Sequence, residues 1–354
     1  MVTQGLWTDY DNDEDIDLLV VGEWMPATLY EYEAGRFTNK TADLQLNSST
    51  GWWNSIVGSD FDHDGHMDYI LGNYGTNNNY DASVNHPLEL YSKDFDNNGS
   101  IDPILSKNYV DGSHPIISRD QFLGQLAFLK STYTSYESYA ATTTKQLFSE
   151  EDWDDVSINN ATTLETSILM NYGGDSLQKV NLPQELQLSP IFAGVSIDIN
   201  GDGSEEILLS GNFYSNNASS GPLASSTGAL VEYINGQTIV SRGHTIGIDY
   251  RGDRKSLVAI KLSTGDIAMI SAVNDGELTL HKVNSDIQSL PYEAQEYRAR
   301  IRMTDGTVFM KESYYGSSYL SHSSRILILP NDWQEVTFID YSGEERRVLR
   351  QINN

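Results

Sequence analysis

Short apolar runs recur along the chain, each directly after a tight polar stretch. LLVVG follows DYDNDEDID, YILGN follows DFDHDGHMD, PIL follows DFDNNGSID and ILLSGN follows DINGDGSEE. Apolar runs of this length, bounded by turn residues, read as strands. Between the third and fourth of them the period turns helical. Ser118 precedes RDQFLGQLAFLK with Gln121 three residues on, a capping-box arrangement, and Phe122, Leu126 and Leu129 fall at i, i+4 and i+7. Tyr136, Tyr139, Ala140 and Leu147 predict a second short helix, and Ser149 with Asp152 caps a third. This helical insertion, about 117–160, is expected to lie over one face of the main fold as a lid. The alternative is a platform for a partner. Past Asn284 the pattern changes again. SDIQSLPYEAQE reads as a linker, and YRARIRMTDGTVFMKESYYG alternates across Asp305-Gly306, a hairpin signal. SRILILP and EVTFIDYSGEERRVL supply further strands.

The polar stretches are repeats of one another. They begin at Asp9, Asp60, Asp94 and Asp198, and each carries an oxygen-bearing side chain at positions 1, 3, 5 and 9. Position 6 is Gly65, Gly99 and Gly203 in three of them and Glu14 in the first. DYRGDRKSL at Asp249 reads as a degenerate fifth copy. Asp9 to Asp60 and Asp198 to Asp249 both span 51 residues, and the intervals of 34 and 104 between them read as one compact unit and one with an insertion. A period of about 50 residues built of short strands predicts propeller blades. The expected fold is therefore mainly β. Residues 1–287 form a β-propeller with about five blades visible, interrupted by the helical insertion, and residues 288–354 form a small C-terminal β-domain.

Charge narrows the chemistry. The chain holds 50 Asp and Glu against 22 Lys and Arg, a net charge of −28, so nucleic acid and anionic membrane surfaces are poor partners. With 39% hydrophobic residues and 21 tyrosines it is not a disordered acidic chain. It has no cysteine, which excludes thiolate metal sites and disulfides. No stretch approaches the roughly 20 apolar residues of a spanning helix. The N-terminus carries no signal-peptide pattern and leads directly into a motif, which reads as a fragment or as a start placed inside a domain.

Four carboxylates in one short loop repel one another unless a cation joins them. Alternate residues of a tight loop can point inward at positions 1, 3 and 5. Position 7 offers its backbone carbonyl, and position 9 closes the cage as the next strand begins. This set suits Ca2+, which takes six to eight oxygens. The candidate ligands are Asp9, Asp11, Asp13, Asp15 and Asp17 in the first loop and Asp60, Asp62, Asp64, His66 and Asp68 in the second. In the third they are Asp94, Asp96, Asn98, Ser100 and Asp102, and in the fourth Asp198, Asn200, Asp202, Ser204 and Glu206. An EF-hand needs Glu at position 12, where this chain has Val20, Leu71 and Leu209 in the first, second and fourth loops. The bland alternative is an Asp-rich turn held by Asx hydrogen bonds. The side chains of His63 and His66 are expected to face solvent.

These loops resemble the FG-GAP (VCBS-type) repeats of integrin-α-like β-propellers. The succession GWWNSIVGSDFDHDGHMDYILGNYGTN, PLELYSKDFDNNGSIDPIL, SRDQFLGQLAFLKS and LSPIFAGVSIDINGDGSEEILLSGNFY is similar to Bacteroidetes surface proteins related to cartilage acidic protein (the ASPIC/UnbV type). The resemblance covers most of residues 1–285. It implies about seven blades, so that N-terminal blades lie outside this chain. It also implies export, often to the outer-membrane surface, in company with glycan-uptake systems. GSSYLS, Gly316 to Ser321, matches the small β-domain that accompanies such propellers.

Other features carry weaker signals. Arg251-Gly252-Asp253 spells RGD inside the degenerate repeat, where Arg251 can pair with Asp249 or Asp253 in place of a metal. One of Trp52 and Trp53 is expected in the core; the other, with Tyr74 and Tyr80, can serve sugar recognition or fill a wedge. Arg298, Arg300 and Arg302 share one strand face, either solvated or paired with the acidic loops. No Ser-His-Asp or HExxH signature appears, and the seven histidines show no ligand spacing. The expected role is a non-catalytic calcium-binding surface module that binds a protein partner or a glycan. A polysaccharide-active lyase or hydrolase, or a purely structural spacer, is the alternative.

Overall fold

The computed structural model describes residues 1–216, 220–234, 236–283, 288–316 and 321–351. It is mainly β. Strands β1 (Val2–Thr8), β2 (Asp17–Met25), β3 (Thr28–Glu33) and β4 (Arg36–Asn39) form an antiparallel meander, and β5 (Gly51–Trp52) pairs with the end of β2. A second sheet begins with β6 (Ser55–Ser59) and β7 (Asp68–Gly72). The chain then leaves to build another sheet from β8 (Leu88–Lys93), β9 (Asp102–Tyr109), β10 (Gly112–Pro115) and β11 (Ser157–Ala161). It returns with β12 (Ser167–Asn171) and β13 (Leu177–Asn181) to complete the second sheet in the order β6-β7-β12-β13. The third stacked sheet holds β14 (Ile191–Ile197), β15 (Glu206–Gly211), β16 (Ala229–Ile234) and β17 (Gln237–Arg242). The fourth holds β18 (Arg254–Lys261), β19 (Ile267–Val273) and β20 (Leu278–Lys282). In the C-terminal region β21 (Gln288–Pro291) pairs with β24 (Ile326–Leu329). There β22 (Glu296–Met303), β23 (Val308–Glu312), β25 (Trp333–Asp340) and β26 (Glu345–Leu349) form a sheet ordered β23-β22-β25-β26.

Alternation along each strand makes two faces, and the apolar faces meet as layers. Leu6, Leu19, Val21 and Leu29 of the first sheet pack on Ile56, Tyr69, Leu71 and Leu169 of the second. Val57, Ile70, Ile168 and Met170 on the other face of the second sheet meet Ile207, Leu209, Ala229 and Val231 of the third. Ala193, Val195, Ile197 and Leu208 then meet Leu257, Ala259, Ile267 and Met269 of the fourth. Each fully buried Leu or Ile contributes about 1.5–3 kcal/mol to this stack. Among the described residues the four sheets do not close on themselves.

Several expectations change. The third loop does not belong to the stack; it joins β8 to β9 in the sheet inserted between β7 and β12. The excursion therefore starts well before residue 117. Helices α1 (Arg119–Gln125) and α2 (Tyr136–Ala140) form with Ser118 and Ser135 as N-caps, but both are shorter than the pattern predicts: Leu129 lies in a 3-10 turn, Ala127–Ser131, and Leu147 follows another, Thr144–Gln146. Ser149 and Asp152 cap a 3-10 turn at Glu150–Trp153. Phe122, Leu126 and Leu129 pack on Tyr91, Phe95 and Ile104, so the helices cover the inserted sheet rather than a face of the stack. The fifth repeat is out of phase. Its Asp249 precedes β18, whereas the other loops link a first strand to a second. The predicted linker is in part a strand, β21. The hairpin at Asp305-Gly306 forms, with Gly306 at φ 93° as its turn requires. Most of GSSYLS, 317–320, lies outside the described residues.

Candidate metal centres

The four loops share one backbone shape. Position 4 is left-handed in each: Asn12 at φ 63°, His63 at 61°, Asn97 at 56° and Gly201 at 78°. Position 6 is left-handed too: Glu14 at 73°, Gly65 at 92°, Gly99 at 88° and Gly203 at 97°. The spacing argument anticipated position 6 and missed position 4. The signal was the run of Asn, His, Asn and Gly there, residues enriched in this conformation.

Hydrogen bonds repeat with the backbone. The position 1 carboxylates accept N–H groups from across the loop. Asp9 takes those of Asp13 and Glu14, Asp60 that of Gly65, Asp94 those of Asn98 and Gly99, and Asp198 those of Gly201 and Gly203. Position 5 forms Asx turns onto position 7: Asp13 accepts from Asp15, Asp64 from His66, Asn98 from Ser100 and Asp202 from Ser204. Position 3 makes the same turn onto position 5 at Asp62, Asp96 and Asn200.

Position 9 works as a latch. Asp17, Asp68, Asp102 and Glu206 each accept the N–H of the position 2 residue: Tyr10 (3.3 Å), Phe61 (3.0 Å), Phe95 (3.0 Å) and Ile199 (2.8 Å). Their second oxygens reach beyond the loop in three cases and back to position 3 in the fourth. Asp17 accepts from Tyr32 N–H, Asp68 from Asn171 N–H, Asp102 from Gln125 Nε2 and Glu206 from Asn200 Nδ2.

Three loops bring three carboxylates within 4.8 Å of one another: Asp9, Asp11 and Asp17; Asp60, Asp62 and Asp64; Asp94, Asp96 and Asp102. Position 9 thus joins the cluster in the first and third loops, and position 5 joins it only in the second. The fourth loop, with Asn200 at position 3, forms no such group among the described residues. Asp13, Asp15, His66, Asp68, Asp198, Asp202 and Glu206 stay outside these groups; Asn98, Ser100, Asn200 and Ser204, which carry no carboxylate, lie in the third and fourth loops beside them.

Burial sets the electrostatics. Asp9, Asp17, Asp60, Asp68, Asp198 and Glu206 are buried. Desolvation pushes Asp17 and Asp68 up to about 8, Asp60 and Glu206 up to about 7, and Asp11 up to about 6. Asp13 adds like-charge repulsion at Asp11. Asp11 Oδ1 and Asp60 Oδ1 are buried and accept no hydrogen bond. Oxygen donors stripped of water and partly unpaired fit a hard divalent cation.

Residues 9–71 match the FG-GAP-like repeat. That FG-GAP-like stretch runs from position 1 of the first loop to β7, so it takes in the first two loops and the strands that follow each. No curated protein matches the chain.

The C-terminal sheet lies against the stacked sheets' loops, a contact that the sequence offered only as one option. Arg298 donates through Nη1 to Asp9 Oδ2 at 2.5 Å and through Nη2 to Asn12 Oδ1. Glu312 accepts from the Thr8 hydroxyl (2.8 Å), the Asp9 N–H (3.0 Å) and the Tyr314 hydroxyl (2.9 Å). Lys311 pairs with Glu205 at 3.2 Å, and Asn331 N–H donates to Gly201. The expectation that His63 faces solvent fails, because its ring packs edge-on against Phe309 at 4.7 Å. His66 Nδ1 lies 2.7 Å from Asn12 Nδ2. Arg300 pairs instead with Glu345 and Arg302 is exposed. Between this sheet and the first strands lies a cavity of about 120 Å³, with Glu205, Lys311, Glu312 and Tyr314 in its wall.

The remaining candidates resolve locally. Trp53 is core. Trp52 is half-buried among Trp24, Tyr74 and Tyr80 at 4.8–5.3 Å between ring centres. Arg251 pairs with Asp249, while Asp253 of the RGD is 3% exposed and held by Lys255. An adhesion receptor would need that carboxylate in the open.

Proposed function

We propose that this chain is a calcium-stabilised, non-catalytic module, an arc of an integrin-α-like β-propeller. Repetition of one loop shape and one latch in four places supports a shared ligand. The observation that carries the reading is the pair of buried, unpartnered carboxylate oxygens, Asp11 Oδ1 and Asp60 Oδ1, inside two of the acidic clusters. Calcium bound there would be held by Asp9, Asp11 and Asp17, by Asp60, Asp62 and Asp64, and by Asp94, Asp96 and Asp102. It would supply the positive charge that the loops lack and pin each hairpin, so folding and binding are linked. Apolar outer faces at both ends of the stack support further blades. Trp7, Tyr32 and Phe37 lie on the first sheet and Leu278 and Leu280 on the fourth.

Sites of this kind in extracellular modules bind calcium at about 10⁻⁴–10⁻³ M, which suits a protein exported to a bacterial cell surface. There it would bind a protein partner or a glycan. The deciding experiment is a melt of the metal-stripped protein with millimolar calcium and with magnesium. A calcium-specific rise in Tm supports the reading, and equal curves overturn it.

A further inference from the structure

The two cations that the C-terminal sheet brings to the loops are not equivalent. Lys311 has its own carboxylate, Glu205, outside the ligand positions. Arg298 sits on a position 1 carboxylate. Its guanidinium and Asp9 are almost wholly buried, with side chains 4% and 0% exposed, and its other arm holds Asn12 at the left-handed corner of the same loop. Asp9 belongs to the cluster with Asp11 and Asp17. Among the described residues no other position 1 residue has an ion pair: Asp198 feels Lys311 only at a distance, because that ammonium is paired with Glu205. Asp60 has no cation beside it, and Asp94 lies in the loop of the inserted sheet. A divalent ion in the first loop would lie against a fixed guanidinium in a water-poor setting, where like charges repel strongly. Arg298 is itself incompletely satisfied, since its buried Nε has no hydrogen-bond partner.

We propose that Arg298 is a tethered counter-ion that competes with calcium at the first loop, so that metal occupancy there and docking of the C-terminal sheet oppose each other. The inference rests on the calcium reading of the loops. It makes the first loop a sensing site: at low calcium the sheet neutralises Asp9, and at high calcium the ion displaces Arg298 and loosens β22. The second and third loops bind independently of the sheet's charges.

Calorimetric titration of the metal-stripped full chain with calcium chloride, in wild type and Arg298→Gln, tests this. The variant is expected to gain about tenfold in affinity at one site. Adding Asp11→Asn should abolish that gain and leave the other sites unchanged. In wild type, saturating calcium should speed amide hydrogen exchange across Glu296–Met303. Unchanged or weaker binding in Arg298→Gln, while other sites still take calcium, overturns the proposal; Arg298 would then be a support that orients Asp9. Slower exchange in β22 on adding calcium overturns it as well. Should Arg298→Gln fail to fold, the wild-type exchange decides alone. If wild type takes up no calcium at all, the calcium reading falls first and takes this proposal with it.

Discussion

Asp68 Oδ1 accepts the N–H of Asn171 at 2.7 Å, across 103 residues of sequence. With its other oxygen on Phe61 N–H, this one carboxylate ties the second loop to the strand that re-enters the sheet. Asp68→Ala leaves both buried N–H groups unpaired, at about 1–3 kcal/mol each. The expected loss is about 3 kcal/mol by urea denaturation. Asp68→Asn keeps one acceptor and should cost less than half of that. Equal losses would mean that the charge, and not the acceptor geometry, matters.

Stability of the metal-free protein should fall as pH rises. Burial pushes Asp17 and Asp68 up to about 8, and Asp60 and Glu206 up to about 7, against ordinary values of 3.8 for Asp and 4.5 for Glu. Their folded values lie above the unfolded ones. Between about pH 4 and 8 the folded state therefore binds more protons, and stability present below pH 4 is lost towards pH 8. Saturating calcium replaces those protons and should flatten or reverse the slope. Tm measured at intervals from pH 4.5 to 8, with chelator and with calcium, checks the sign.

Glu14 occupies at φ 73° the place that glycine fills in the other three loops. A non-glycine residue there costs roughly 1–2 kcal/mol, part of which glycine returns as unfolded-state entropy. Glu14→Gly should stabilise by about 0.5–1 kcal/mol. Gly65→Ala, at φ 92°, should destabilise by about 1–2 kcal/mol. Chemical denaturation of both variants reads the pair.

The inserted sheet leaves and returns at one point, where Gly75 N–H donates to Leu164 at 2.8 Å. It also has its own core, built on Phe95, Phe122 and Leu126. Replacing residues 76–163 by a short Gly/Ser linker should keep the β-rich circular dichroism spectrum. Calcium stoichiometry should fall by one, the site of Asp94, Asp96 and Asp102.

Strands and loops were legible because each acidic stretch feeds directly into an apolar run, and glycine at position 6 marks the turn. The helical insertion was legible from Ser118 and the spacing of Phe122, Leu126 and Leu129, which are the cap and the buried face observed. Its host was not. Nothing local in PLELYSKDFDNNG tells that β8 pairs with β9 and β11 rather than with β7. The DYRGD copy misled because composition resembles a loop while chain position decides which strands it joins. Arg298 was visible only as one of three alternating arginines. Its partner Asp9 is 289 residues away, and long-range pairing leaves no periodic trace.

β7 and β12 pair Tyr69 with Leu169 and Leu71 with Ser167, although about ninety residues separate the strands. On the ribosome, β7 must wait roughly 5–20 s for its partner at ordinary synthesis rates. Closing so long a loop also costs more than closing a hairpin. The intervening sheet can collapse first on its own core, leaving only a short tether between the waiting strand ends. The interruption thus sets an order of assembly, inner module before outer sheet, and leaves β7 a nascent edge for the length of that delay.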